Sequence, residues 1–255
     1  MTALSVNLNK IALLRNARGR DYPNVADFAH LALQHGAAGV TIHPRPDQRH
    51  ATYADIETLA VVVADYDGAE LNIEGYPNAD FLDAVCAVRP AQVTLVPDAP
   101  GQLTSDHGWA VREHRGQLTE VVARLHEAGI RVSLFMDCQR EEIAAAQALG
   151  VARIELHTEP YARAFEQGGE RYVASLATFT EHTAYARSIG LGVNAGHDLD
   201  LANVAGFVRA CQPDEVSIGH ALTVEALTRG FAATVAQYHF LLQASSERKY
   251  DSKMV

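Results

Sequence analysis

The sequence predicts an α/β protein built as a closed parallel (β/α)₈ barrel, the TIM barrel architecture. Three observations carry that prediction. Eight short β-rich runs alternate with helical patterns over about 250 residues. One junction recurs between them, an apolar-periodic helix, a glycine and then a strand, as in "ALQHGAAGVTIH", "RLHEAGIRVSLF", "AQALGVARIELH" and "ARSIGLGVNAGH". And no G-x-G-x-x-G follows the first run, which disfavours an open doubly wound sheet.

The strands are "LSVNLN" (4–9), "GVTIH" (39–43), "ELNIEG" (70–75), "QVTLVPD" (92–98), "RVSLFMD" (131–137), "RIELHT" (153–158), "LGVNAG" (191–196) and "EVSIGH" (215–220). Helical patterns lie near 24–35, 54–65, 79–88, 116–128, 139–149, 172–189, 201–211 and 222–244. In the fourth of these, Leu118, Val121, Val122 and Leu125 recur at i, i+3, i+4 and i+7 and form one apolar face. The glycine at each junction is the left-handed cap that ends a helix. No linker divides the chain, so residues 1–245 read as one barrel domain and 246–255, "SERKYDSKMV", as a polar tail. The long segments 99–114 and 159–171 read as lids or subunit contacts.

Composition narrows the function. With 48% hydrophobic and 20% charged residues the chain is an ordinary globular one. It has neither an apolar run of membrane-spanning length nor a signal-like start, so a cytoplasmic location is expected. Cys86, Cys138 and Cys211 are far apart and read as reduced, mostly buried thiols. A net charge of -10 disfavours a nucleic-acid partner. The local clusters Arg15, Arg18, Arg20 and Arg45, Arg49 fit small phosphorylated ligands instead.

Strand alternation then separates two sets. Val6, Leu8, Ile42, Ile73, Ile154, Leu156, Val216 and Ile218 suit positions facing the helices. The interleaved Asn7, Asn9, Thr41, His43, Asn72, Glu74, Glu155, His157, Ser217 and Gly219 are polar or small, where a barrel that needed only filling would carry Val, Ile or Leu. They crowd the carboxyl ends of the strands, where barrel active sites are built. Glu74 stands out, because a carboxylate inside a barrel is costly unless paired or protonated; Asp137 and Glu155 read equally well as structural partners. His43, His197 and Glu74 supply proton donors and acceptors, and no covalent nucleophile is evident. "SIGHAL" (217–222) follows the last strand and leads into a helix, a phosphate loop in which Gly219 permits close approach.

The segments "VNLNKIALLRNARG", "VTIHPRPDQRH", "LNIEGYP", "TLVPDAPGQLTSDHGW", "RVSLF", "VNAGHDL" and "EVSIGHAL" resemble the signature segments of the pyridoxine 5′-phosphate synthase family, in order, from about residue 4 to 242. The resemblance implies a barrel with extra helices that support oligomer assembly, typically an octamer of dimers. It also implies condensation of 1-deoxy-D-xylulose 5-phosphate with 3-amino-2-oxopropyl phosphate into pyridoxine 5′-phosphate, phosphate and water, with neither metal nor organic cofactor. By resemblance His43 and Glu74 are bases and His197 is a donor, while Asn7, Arg18, Arg45, His50, Thr104, Gly219 and His220 contact substrate. The best-known members read Asn-Ile-Asp-His where this chain has "NLNK", and Gly where it has Asp198. Asn9 cannot act as a base, and Lys10 is expected to meet a phosphate or substrate oxygen.

Two other readings compete. A metal-dependent barrel isomerase or aldolase acting on phosphosugars would use Glu74, Glu155, His157 and His197 as ligands. A non-catalytic phosphometabolite binder would have lost proton-transfer residues, yet His43, Glu74 and His197 are all present.

Overall fold

A computed structural model describes residues 1–98, 102 and 105–247. Eight parallel strands close into a barrel in chain order, β1 Ala3–Asn7, β2 Gly39–Ile42, β3 Glu70–Gly75, β4 Gln92–Leu95, β5 Arg131–Met136, β6 Arg153–His157, β7 Gly192–Gly196 and β8 Glu215–Ile218, with β8 pairing back onto β1. The register places Asn7 beside Thr41, Thr41 beside Asn72, Glu74 beside Thr94, Phe135 beside Glu155 and His157 beside Gly196. The two residue sets separate as the alternation requires. Leu4, Val6, Val40, Ile42, Ile73, Val93, Leu134, Ile154, Val193 and Val216 are buried in the shell between strands and helices.

The inside of the barrel is held by polar bonds. Ser5 and Thr41 hydroxyls lie 2.6 Å apart, Asn72 donates to Thr41 at 3.3 Å, and Thr94 donates to Asn72 at 3.0 Å. At the amino-terminal mouth Arg131 bonds Gln92 and pairs with Glu70, while Arg153 bonds Asn194, which donates to Glu215. These bonds pair Ser5, Thr41, Asn72, Thr94, Asn194 and Glu215 with one another or with the mouth arginines.

The helices that follow the strands are α2 Val25–Gln34, α3 Tyr53–Ala64, α4 Ala79–Val88, α5 Arg115–Glu127, α6 Arg140–Ala148, α8 Gly169–Ser188, α9 Val204–Cys211 and α10 His220–Arg229. The starts of α2, α3 and α4 are capped by the side chains expected at helix N-termini. Asn24 accepts from the Asp27 amide, Asn78 accepts from the Phe81 amide, and Thr52 and Asp55 form a capping box. The junction glycines Gly36, Gly129, Gly150 and Gly190 have φ of 102°, 76°, 81° and 90°, the left-handed conformation predicted for them.

Several expectations are corrected. The first strand ends at Asn7, because the Asn7 carboxamide accepts the Asn9 amide and turns the chain into a helix, α1 Asn9–Asn16. Asn9 is therefore a helix-start residue, not an inward strand position. Segment 159–171 carries α7 Glu159–Gln167, with Pro160 in its first turn. The long last helix is broken at Gly230, φ 86°, into α10 and α11 Phe231–Glu247. α11 runs two residues into the predicted tail, and the rest of that tail lies outside the described residues. Asp200 accepts the amides of Ala202 and Asn203, which delays α9 to Val204. Cys211 is buried, but Cys86 and Cys138 are only half-buried; all three are free thiols. Among the described residues no helix is long and apolar enough to cross a membrane.

Candidate active site

His43, Glu74, His157 and His197 are gathered at the carboxyl-terminal mouth of the barrel. His43 follows β2, and its amide donates to the Asn9 carboxamide at 2.8 Å, so the helix-start asparagine anchors the residue that carries the imidazole. The His43 ring lies between two acids, its Nδ1 3.8 Å from Glu74 Oε2 and its Nε2 3.8 Å from Asp98 Oδ2. Both distances exceed a hydrogen bond, so the ring is bonded to neither acid. Asn7 Nδ2 donates weakly to Glu74 at 3.4 Å.

Burial dominates the electrostatics. It pushes the Glu74 carboxyl up to about 8, with the nearby Asp98 charge adding to the effect. Burial likewise drives the His43 imidazole well below its ordinary value, helped by Arg45, His197 and His50. His197 falls to about 3, from burial first and then from His157 and Arg45. At neutral pH the site thus keeps its proton on the carboxyl and leaves both imidazoles neutral. At this mouth His43 Nε2, Asp98 Oδ1 and His197 Nδ1 are buried without a hydrogen-bond partner. Unpaired groups at one mouth mark a place prepared for something else to bind.

A cationic wall adjoins these groups. Arg45 pairs with Asp98 at 2.5 Å and donates to the Gln102 carbonyl at 3.0 Å, where Arg49 also donates at 2.6 Å. Burial first, and then the charges of Lys10, Arg49 and Arg45, lower His50 to about 4. Beside the end of β1, Gly219 caps α10, and a Cβ there would stand 2.9 Å from the Asn7 Cβ, so no larger residue fits that approach. His220 is exposed in the first turn of α10. Arg18 is exposed on the turn after α1 and stands outside this network, and Thr104 lies outside the described residues.

Sequence reasoning missed part of the wall. Asp98, just beyond β4 and buried at 4% exposure, pairs with Arg45 and accepts from the Ser105 hydroxyl at 2.8 Å. The acidic end of "TLVPD" was its only trace. Asp137 joins His157 at 3.3 Å and accepts the Gly108 amide at 3.0 Å. Glu155, 1% exposed and pushed well above the usual carboxylate range by burial and by Glu74, lies in the barrel interior below the mouth. Among the described residues no three His, Cys, Asp or Glu side chains are grouped as ligands for one ion, so Glu74, Glu155, His157 and His197 do not form the set the metal-dependent reading requires.

His197 and Asp198 end β7 in the left-handed region, at φ 78° and 59°. That conformation costs a residue with a Cβ roughly 1 kcal/mol, less for Asp. Asp198→Gly is therefore expected to raise stability by up to about 1 kcal/mol, a rise of roughly 2–4 °C in the unfolding midpoint. A lower midpoint in a thermal melt would show that the Asp198 side chain contributes more than its backbone strain costs.

A family model described as "Pyridoxal phosphate biosynthesis protein PdxJ" matches residues 4–244. The pyridoxine 5′-phosphate synthase of Christiangramia forsetii is 50% identical over 244 residues, covering 95% of this chain and all of that protein. The enzyme of the same name from Allorhizobium ampelinum is 49% identical, over 92% of this chain and 95% of that protein. Among solved structures, phosphoribosyl anthranilate isomerase from Thermotoga maritima matches with a TM-score of 0.60 at 14% identity, over 96% of this chain and 100% of that one. Tryptophan synthase from M. tuberculosis gives 0.62 at 15%, over 95% and 93%. These two likenesses concern the barrel fold alone.

Proposed function

Because the chain belongs to the PdxJ family of pyridoxal phosphate biosynthesis proteins, we propose that it is a pyridoxine 5′-phosphate synthase, a ring-closing transferase. It joins 1-deoxy-D-xylulose 5-phosphate to 3-amino-2-oxopropyl phosphate and releases pyridoxine 5′-phosphate, inorganic phosphate and water. The observation that carries this reading is a buried acid, Glu74, 3.8 Å from the His43 imidazole, with His197 at the same mouth and the Arg45–Asp98 pair beside them. Imine formation, phosphate elimination and aldol-type closure each move a proton on or off a carbon, nitrogen or oxygen, and no step needs a protein nucleophile.

In this reading Lys10, Arg45 and His50 receive one phosphate, and the backbone at Gly219 and His220, at the start of α10, receives the other. Arg18 and Thr104 are assigned as further substrate contacts by family likeness. A phosphate on Arg45 competes with Asp98, whose carboxylate holds that guanidinium. Glu74 in its ionised form takes a proton from the substrate, and His43, 3.8 Å away, serves as a second base. His197 gives a proton to the leaving oxygen. Its low proton affinity makes it a strong donor once an anionic substrate has charged it. We further assign a cytoplasmic location and a homo-octamer, for which exposed Leu13 and Leu14 on α1 and Val173 on α8 offer apolar surface.

The test is an assay with both substrates in the presence of a chelator, following phosphate and pyridoxine 5′-phosphate together. Equimolar release of the two supports the synthase reading and a reaction independent of added metal. Turnover lost on chelation and restored by Zn²⁺ or Mn²⁺ would overturn the cofactor-free part. Folded protein that releases neither product would overturn the activity itself and implicate Asn9 and Lys10.

A further inference from the structure

Where β6 ends, residues 157 and 158 support His197 from two sides. Thr158 holds the main chain, with its amide donating to the Gly196 carbonyl at 2.9 Å and its hydroxyl 2.6 Å from that oxygen and 2.5 Å from the His197 carbonyl. His157 holds the ring. The two imidazole planes meet at 88° with centroids 5.5 Å apart, and Phe135 packs against both, at 5.2 Å from His157 and 4.8 Å from His197.

His157 is itself fixed. Its Nδ1 lies 3.3 Å from Asp137 Oδ1, and the other Asp137 oxygen accepts the Gly108 amide at 3.0 Å. Gly108 fits so tightly over the end of β5 that a Cβ there would run into the backbone of Met136 and Asp137. A connected series of parts thus runs from Gly108 through Asp137, just after β5, and His157, at the end of β6, to the imidazole just after β7. A histidine that only filled space would have no need of a carboxylate anchored at both oxygens. Burial opposes ionisation of Asp137, but the bonds from His157 and Gly108 outweigh it and hold the carboxyl below its ordinary value. An ionised carboxylate only accepts, so Nδ1 of His157 must carry the proton.

We propose that Asp137 and His157 are positioning residues for His197: the carboxylate fixes the tautomer and tilt of the His157 ring, and that ring fixes the orientation and proton affinity of His197. The proposal rests on the reading of His197 as proton donor. His157 and Asp137 face His197 from β6 and β5, His43 and Arg45 act on it from the β2 side, and Glu155 lies beneath its turn against Gly196. Of these only His157 touches the ring as a second titratable imidazole. Two imidazoles in contact disfavour a proton on each other, which accords with the lowered affinity of the His197 ring.

Nitrogen-15 histidine NMR of the full chain, compared across wild type, His157→Phe, Asp137→Ala and His197→Asn, tests the pair directly. The wild type is expected to show a neutral Nδ1–H imidazole that disappears in His157→Phe and shifts toward the Nε2–H form in Asp137→Ala. The resonance missing from His197→Asn is expected to titrate about one pH unit higher in His157→Phe. In the assay, His157→Phe should lower kcat roughly 10- to 100-fold and leave both KM values within about threefold. A wild-type His157 in the Nε2–H form overturns the proposal. So does a His157→Phe protein whose His197 titration and kcat both match wild type. Wild-type protein without turnover sinks the synthase reading alone, and the tautomer and titration then still decide the pair.

Discussion

Glu74→Gln is expected to cut turnover by roughly 10² to 10⁴ and, at pH 8, to raise the thermal midpoint of the same protein. Both effects follow from one buried carboxyl. In the folded chain it holds its proton up to about pH 8, against an ordinary value of 4.5. Where the folded state binds a proton more tightly than the unfolded chain, stability is full below the unfolded value and declines as pH rises toward the folded one. The wild type therefore loses stability between about pH 4.5 and 8 on account of this residue, while glutamine, which never ionises, loses none. At pH 5 the two proteins should melt alike, and at pH 8 the variant should melt higher, by roughly 5 °C. The ionised acid is also the form that abstracts protons, so kcat/KM of the wild type should climb with pH toward about 8. That limb should be missing from the variant's residual activity. Unchanged turnover would refute the role of Glu74, and a lower midpoint at pH 8 would refute its protonation.

His197→Asn carries the second large effect, again a fall of roughly 10² to 10⁴ in turnover. Asparagine is the right replacement because His197 stands at φ 78°, a conformation that Asn adopts more readily than most residues. The substitution removes the imidazole while leaving the turn and the clamp of Thr158 on its carbonyls intact. Substrate binding, measured calorimetrically with the ketose phosphate, should change by no more than about threefold, since the cationic groups lie on other strands and on α1. Equal losses in binding and turnover would instead make His197 a ligand for substrate and leave the proton donor to be found elsewhere.

The barrel itself was legible because two periodicities reinforce each other. Alternation in "LNIEG" and "RIELH" separated the shell from the interior, and the junction glycines marked helix ends that the backbone angles bear out. α1 and α7 escaped because their sequences are short and flanked by polar residues, so neither carries the long apolar stripe that marks α5. His43, Glu74 and His197 stood out as polar residues at strand ends. Asp98 did not, and Asp137 and His157 were named singly but not as a pair, since what links each to its role is a partner 20 or more residues away, such as Arg45 for Asp98. An aspartate that ends a strand has the same appearance in a sequence whether it pairs with an arginine or faces water. Glu155 was ambiguous for the same reason.

The polar interior described above changes what kind of substitution this barrel tolerates. An oily core accepts exchanges by volume, since dispersion has no direction. Here Ser5, Thr41, Asn72 and Thr94 are linked donor to acceptor, so a residue of equal size but no hydroxyl leaves two neighbours without a partner. Shape is then conserved through grammar more than through bulk. Mutational drift in such a chain should accumulate freely in the apolar shell and stall inside the ring of strands, the reverse of what size-based intuition assigns to surface and centre.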